Sequence, residues 1–341
     1  MLIVMKKGST PDETARVCDA VRAIGRTPVT VVIDGREAIS VAAGNPPLDA
    51  GRFEGMAGVH QVVPLEAPYR LAARDARPRG TAITVGGRTI GAGGLFVVAG
   101  PCAVENEEQI VETARLMKQA GADALRGGAY KPRSSPYSFQ GLGPEGLRLL
   151  VVAREATGLP IVSEAVDESS LDLVAAQADI VQIGARNMHN GALLKSAGRL
   201  RKPILLKRGM SATLDDLLMA AEFILDQGNG EVILCERGIR TFSQHSRFTL
   251  DLSVVPAAQT ASHLPVFVDP SHAAGRRERV APMARAAVAA GADGVIFEVH
   301  PDPDDALSDG RQALVPGEAA ELIAQLREVA AVLSRKTEVA R

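Results

Sequence analysis

The chain has 341 residues, of which 46% are hydrophobic, enough to bury one large core and a smaller one. A formal net charge of −2 argues against a nucleic-acid or membrane partner, both of which leave a basic excess. The opening apolar run "LIVM" is too short for a signal-peptide core or a membrane span, so a cytoplasmic protein is expected.

The first seventy residues read as their own unit. "LIVM" is strand-like. "TPDETARVCDAVRAIG" follows with a Thr cap, a Pro at the first helical position and helical spacing of Ala15, Val17, Val21 and Ile24, and "TPVTVVID" returns to a strand. After the turn at "DGRE" come "AISVAA", a short helix near "PLDAGRFEGM" and a last strand, "VHQVVPL". The order βαββαβ predicts a small ferredoxin-like domain over residues 1–70. Residues 71–92 are read as a linker rich in Arg and Pro, followed by a hairpin, "AITVGGRTIGAG", under the next domain.

From residue 93 to 341, short apolar runs alternate with amphipathic helices. The runs are "GLFVVAG", "ADALRGG", "PIVSEA", "DIVQIGA", "PILLKRG", "EVILCERG", "PVFVDPSH" and "DGVIFEVH". Eight apolar strands joined by helices predict a parallel (β/α)8 TIM barrel. An internal echo supports the count: "AGAD", "AQAD" and "AGAD" precede Ala124, Ile180 and Gly294, each closing a helix and opening a strand. In such a barrel the C-terminal strand ends converge on one rim. Cys102, Arg126, Lys131, Glu164, Arg186, Lys207, Glu236, Arg237, Asp269, His272 and Glu298 should therefore surround one cavity.

Two chemical groups separate out of that ring. Cys102, His272, Glu298 and the nearby Asp309 offer a thiolate, an imidazole and two carboxylates, a mixed soft and hard set suited to a divalent Mn, Fe, Co or Zn ion. No short spacing motif joins them, so that reading depends on the barrel, and Cys102 could equally be a small buried residue. The three cysteines are odd in number and far apart, which argues against a disulfide framework; Cys18 and Cys235 read as packing residues. The second group is cationic: Arg126, Lys131, Arg133, Arg186, Lys207, Arg208 and Arg237, most beside Gly, Ser or Asn. Such a concentration facing one cavity points to phosphorylated substrates.

"VVAGPCAVEN", "KPRSSPYSFQG", "QIGARNM", "LLKRGM", "ILCERGIRTF", "VDPSHAAGRR" and "FEVHPDPDDALSDG" together resemble the 3-deoxy-D-arabino-heptulosonate 7-phosphate (DAHP) synthases of the Iβ type, in that family's order, over about residues 95 to 316. The N-terminal unit resembles the ferredoxin-like regulatory domain of some members. The related 3-deoxy-octulosonate 8-phosphate synthases share "GPC", "ERG" and the "ALSDG" ending but usually carry an Asn between the Lys and Arg of the "KPRSS" loop.

The resemblance implies a transferase that condenses phosphoenolpyruvate with erythrose 4-phosphate at the entry to aromatic amino-acid synthesis, the shikimate pathway. It implies that Arg126, Lys131, Arg186, Lys207 and Arg237 hold phosphoenolpyruvate, and that Arg133 and Ser134 take the phosphate of the aldose. It also implies a metal held by Cys102, His272, Glu298 and Asp309. Lys131 is the candidate for protonating the developing alkoxide; Glu236, Asp269 and a metal-bound water compete as activators of the attacking water; Glu164 is read as orienting the cations. Tyrosine or phenylalanine is the expected feedback inhibitor, bound by paired copies of the small domain in a homo-oligomer, dimer or tetramer. The alternatives are an octulosonate synthase using arabinose 5-phosphate, a non-catalytic phospho-ligand sensor, and a Schiff-base aldolase using Lys207.

Overall fold

The computed structural model describes residues 1–33, 36–41, 48–63, 68–133 and 135–339. The chain divides into two compact units, Met1–Arg70 and Leu71–Arg341. The first holds strands β1 (Leu2–Met5), β2 (Pro28–Ile33), β3 (Arg36–Val41) and β4 (Val59–Val63) in the antiparallel order β2-β3-β1-β4, the split arrangement of a ferredoxin-like sheet. Its helix Pro11–Ala23 starts as the sequence predicts: Thr10 and Glu13 form a reciprocal capping box and Pro11 sits at the first helical position. The second helix shrinks to one turn, Gly51–Glu54, because glycines bracket it. Phe53 from that turn still reaches the core, where it joins Ile3, Met5, Val17, Val21 and Ile39; Cys18 packs in the same cluster, as expected.

The second unit opens with an antiparallel hairpin, β5 (Ile83–Val85) and β6 (Arg88–Ile90), and then closes eight parallel strands into a barrel. These are β7 (Phe96–Gly100), β8 (Ala124–Arg126), β9 (Ile161–Ala165), β10 (Ile180–Ile183), β11 (Ile204–Lys207), β12 (Val232–Glu236), β13 (Val266–Val268) and β14 (Gly294–Glu298), with β14 paired to β7. Ile83, Val85 and Ile90 of the hairpin pack with Phe96, Ile180, Leu205 and Ile233, which lie at or near the N-terminal ends of their strands. The hairpin therefore plugs the end of the barrel opposite the functional rim.

The repeated Asp of the sequence has a common structural task. Asp123, Asp179 and Asp293 each exchange two bonds with one residue of the preceding strand. The backbone N–H of each Asp donates to the carbonyl of Val97, Ile161 or Val266, and its carboxylate accepts that residue's N–H at 2.7 to 2.8 Å. Each charge-assisted bond is worth about 1.5–3 kcal/mol, so three of them help set strand register around the barrel.

The stretch from Leu71, read in the sequence as linker, is instead pinned to the barrel unit. The N–H groups of Leu71 and Ala72 donate to Glu222, Arg74 bonds the carbonyl of Gln259, and the ring of His263 bridges the carbonyl of Leu71 and the hydroxyl of Thr81. Buried donors and acceptors need partners, and these residues find them on the barrel's helices and loops. Among the described residues, no helix is long and apolar enough to cross a membrane.

Candidate active site

The C-terminal strand ends bring four potential ligands together. Cys102 follows β7 through Gly100 and Pro101; a Cβ at Gly100 would lie 2.2 Å from the carbonyl oxygen of Arg126, so only glycine lets β7 approach β8 there. His272 stands on the short helix Pro270–Ala274, whose cap is Asp269, and Glu298 ends β14. Asp309 lies at the tip of the following loop with φ 54°, alone among the described non-glycine residues in the left-handed region. One donor atom from each of the four lies within 4.8 Å of the others. The Cys102 thiol is 3.4 Å from Oδ2 of Asp309, and Nε2 of His272 is 3.4 Å from Oε1 of Glu298 and 3.9 Å from Oδ2 of Asp309.

Burial and neighbouring charges shift every member of this cluster. Burial pushes the Cys102 thiol up to about 12, reinforced by Glu298 and opposed by Lys131. Burial lowers the His272 imidazole against the pull of Asp269 and Glu298. Burial acts to raise Glu298 and Asp309, yet His272 together with Arg126 and Arg247 respectively keeps both below the usual carboxylate range. Oε2 of Glu298 accepts from the Gln312 amide at 2.6 Å, whereas its buried Oε1, facing the cluster, has no hydrogen-bond partner. That oxygen has only the longer ion pairs to Arg126 and His272 at 3.4 Å, which leaves a buried carboxylate incompletely satisfied. Sulfur, imidazole nitrogen and carboxylate oxygens around that orphan fit a divalent first-row ion.

His272 and Asp309 also line a cavity of about 370 Å³, which is bordered by Lys131, Arg133, Arg186, Lys207, Arg237, Arg240 and Arg247 and by the carboxylate of Glu164. Arg126 is buried against the four-donor cluster, bonded to the carbonyls of Pro101 and Cys102 and 3.4 Å from Oε1 of Glu298. Arg237 stacks its guanidinium 4.5 Å from the Phe248 ring centroid, and its burial lowers its pKa. Nη1 of both Arg126 and Arg237 is buried without a hydrogen-bond partner, so two cations carry unmet donors suited to an anion. Lys207 is ion-paired to Asp269; Arg133 donates to the Ser308 hydroxyl and the Phe139 carbonyl; Arg186 lies in the turn after β10. Ser134 lies outside the described residues.

Several sequence expectations change in detail. Arg208 does not face the cavity: it bonds Glu236, Asp251 and the carbonyl of Ala212. Neighbouring residues at a strand end point opposite ways, so Lys207 turns inward and Arg208 outward. Glu236 bonds Arg208 and the Gly238 N–H, and Asp269 bonds Lys207 and His272. Glu164 bonds the Gln182 amide rather than a cation. Lys131 rests on Cys102, 3.0 Å from its sulfur and 2.9 Å from its carbonyl oxygen, instead of standing only among cations. Cys235 is fully buried in the barrel core, as read. Arg240 and Arg247 were missed because they lie in the loop after β12; the only signal was their place downstream of "ERG".

The barrel, the four-donor cluster and the cationic cavity together define a TIM-barrel enzyme with a candidate metal centre that acts on anionic substrates. The chain belongs to the DAHP synthetase I family, whose model matches residues 79–335, and the DAHP synthase ferredoxin-like domain model matches residues 1–67. It is 44% identical to a phospho-2-dehydro-3-deoxyheptonate aldolase of Thermotoga maritima, over 98% of this chain and 99% of the relative. The crystal structure of a DAHP synthase from that organism superposes with a TM-score of 0.94, at 44% identity and 98% coverage of both chains. A truncated form of 3-deoxy-D-arabino-heptulosonate 7-phosphate synthase from Thermotoga maritima gives 0.73 at 46% identity, covering 77% of this chain and 97% of its own. A 2-dehydro-3-deoxyphosphooctonate aldolase of Thiobacillus denitrificans is more distant, 32% identical over 71% of this chain and 92% of the relative.

Proposed function

We propose that the chain condenses phosphoenolpyruvate with erythrose 4-phosphate and water to give 3-deoxy-D-arabino-heptulosonate 7-phosphate and inorganic phosphate. The observation that carries this reading is the opening of the Cys102–His272–Glu298–Asp309 cluster onto a cavity ringed by cations, with one buried Nη1 atom on Arg237 at the cavity and one on Arg126 beside the cluster left without a hydrogen-bond partner. Arg126, Lys131, Arg186, Lys207 and Arg237 would hold the carboxylate and phosphate of phosphoenolpyruvate, and Arg133 with Ser134 the phosphate of the aldose. Fixing both anions side by side brings the enol carbon to the aldehyde. Cys102, His272, Glu298 and Asp309 would hold a divalent ion, whether Mn, Fe, Co or Zn, which when bound would supply Lewis acidity. Lys131, resting on Cys102, would give a proton to the aldehyde oxygen as the carbon–carbon bond forms. Asp269 keeps His272 oriented by accepting from its Nδ1.

Residues 1–70 are proposed to bind an aromatic amino acid, tyrosine or phenylalanine, as a feedback inhibitor. Removing them tests the idea, and an active barrel that either amino acid still inhibits would refute it. The main experiment follows loss of the enol absorbance of phosphoenolpyruvate, using metal-stripped protein with manganese restored and either erythrose 4-phosphate or arabinose 5-phosphate. Metal-dependent turnover with the four-carbon sugar alone supports the assignment; turnover with the five-carbon sugar alone makes the chain an octulosonate synthase instead.

A further inference from the structure

Glu105 sits in the loop that carries Cys102, and its carboxylate crosses into the loop that carries Asp309. There Oε1 accepts the N–H of Leu307 at 2.9 Å, and Oε2 faces Nε2 of His300 at 3.3 Å. Nδ1 of His300 accepts the N–H of Asp302 at 3.1 Å. That bond fixes the tautomer, leaving the proton on Nε2 to be donated to Glu105. The side chains of His300 and Glu105 are only 8% and 9% exposed.

Each loop is separately braced, so the pair joins two stiff pieces. On the Cys102 side, the Gln109 amide donates to the carbonyl of Ala103 and accepts the N–H of Glu105, while the N–H of Val104 bonds the carbonyl of Gly128. On the Asp309 side, a bridge between Val299 and Leu314 closes the base of the loop. Its tip folds back so tightly that a Cβ at Gly310 would lie 2.0 Å from the carbonyl oxygen of Pro303. A buried carboxylate and imidazole are an expensive way to join loops, since each must be desolvated and fully partnered; apolar contact would do so without that cost. What the polar pair adds is direction: three hydrogen bonds from one carboxylate–imidazole unit set where Leu307, and with it Asp309 two residues on, stands relative to Cys102.

We propose that Glu105 and His300 are a positioning pair that sets the spacing of Cys102 and Asp309 and so the grip of the site on its cation. Neither residue lines the cavity, so neither acts on substrate. This inference rests on the metal reading of the Cys102 cluster, and the experiment separates the two.

Manganese binding is measured on full-length, metal-stripped protein by the electron paramagnetic resonance signal of free Mn²⁺, with the rate of manganese loss to a chelator as a second readout. The proteins compared are the wild type, Glu105→Ala, His300→Ala, the double variant and Glu105→Gln. The wild type binds, and each alanine variant binds roughly 10- to 100-fold more weakly and releases the ion faster, the range seen when partners behind a ligand are removed. The double variant is no worse than either single one, because the two residues act as a unit. Glu105→Gln keeps the acceptor for Leu307 but sets an amide donor against the N–H of His300, so it loses roughly 3- to 10-fold; it decides the matter if an alanine variant does not fold. Variants that bind manganese within twofold of the wild type while melting earlier would show loop support and nothing more, and would overturn the inference. A wild type that takes up neither Mn²⁺ nor Zn²⁺ overturns the metal reading itself, and the role of the pair with it.

Discussion

Nδ1 of His272 lies 2.7 Å from Oδ2 of Asp269, and the same carboxylate oxygen is ion-paired to Lys207. Burial alone would raise Asp269, but His272 and Lys207 more than offset it and hold the carboxyl well below its ordinary value. One ionised group thus orients a candidate ligand on one side and a candidate phosphoenolpyruvate contact on the other. Asp269→Asn should weaken metal binding roughly 10- to 100-fold and lower kcat even at saturating metal, because its amide nitrogen cannot accept from Lys207 or His272. Manganese titration alongside kcat measured over a range of metal concentrations checks this. Full recovery of kcat with excess metal would restrict Asp269 to the ligand side.

Arg208 and Arg186 should fail in opposite ways. Arg208→Ala strands Glu236 and Asp251, both of which it bonds at 2.9 Å, and breaking such a pair costs about 3–5 kcal/mol. A lower melting temperature, or insoluble protein, is expected. Arg186→Ala removes a side chain that borders the cavity, so the melting temperature should hold while KM for phosphoenolpyruvate rises about tenfold or more. Thermal melts and steady-state kinetics on the two variants distinguish the roles.

Much of this was legible in the sequence, because strand ends in a parallel barrel share one rim. "GPC", "DPSH", "FEVH" and "ALSDG" share a site once eight strands are counted, and each "AGAD" or "AQAD" marks where a helix closes and a strand opens, although the register bonds that its Asp makes are visible only in the structure. What the sequence hid depends on side-chain direction and on loops. Lys207 and Arg208 are adjacent, and their sequence alone does not tell which turns inward. Arg240 and Arg247 reach the cavity from a loop without periodicity, and Arg74, Leu71 and Ala72 bond residues far along the chain. Lys131 looked like one cation among many because its contact with Cys102 exists only after the loop folds.

Gly184 offers a test of the cavity floor. Its backbone is extended at φ −71°, which any residue tolerates, yet a Cβ there would lie 2.0 Å from Oε1 of Glu164. Gly184→Ala should therefore fold but drive the Glu164 carboxylate from its bond to Gln182 and into the cavity, lowering kcat/KM by about tenfold or more. Adding Glu164→Ala removes the atoms that clash. If the double variant is more active than Gly184→Ala alone, the effect is steric; if it is no better, the glycine has another purpose.

His263 should make the barrel unit sensitive to acid. Its ring is buried, with Nε2 bonded to the carbonyl of Leu71 at 2.6 Å and Nδ1 to the hydroxyl of Thr81 at 2.7 Å, bonds that the neutral imidazole makes by donating from Nε2 and accepting at Nδ1. Burial lowers its pKa from the ordinary 6.5, and the nearby Arg77 and Arg74 push the same way. The unfolded chain therefore takes up a proton at His263 at a higher pH than the folded one does. Its contribution to stability is fully present above about pH 6.5, declines as the pH falls toward the folded-state pKa, and is lost below it. His263→Gln lacks that titration, so its melting temperature, even if lower throughout, should fall less steeply than the wild type's between pH 7 and 5. Parallel slopes for the two proteins would mean that the acid sensitivity lies elsewhere.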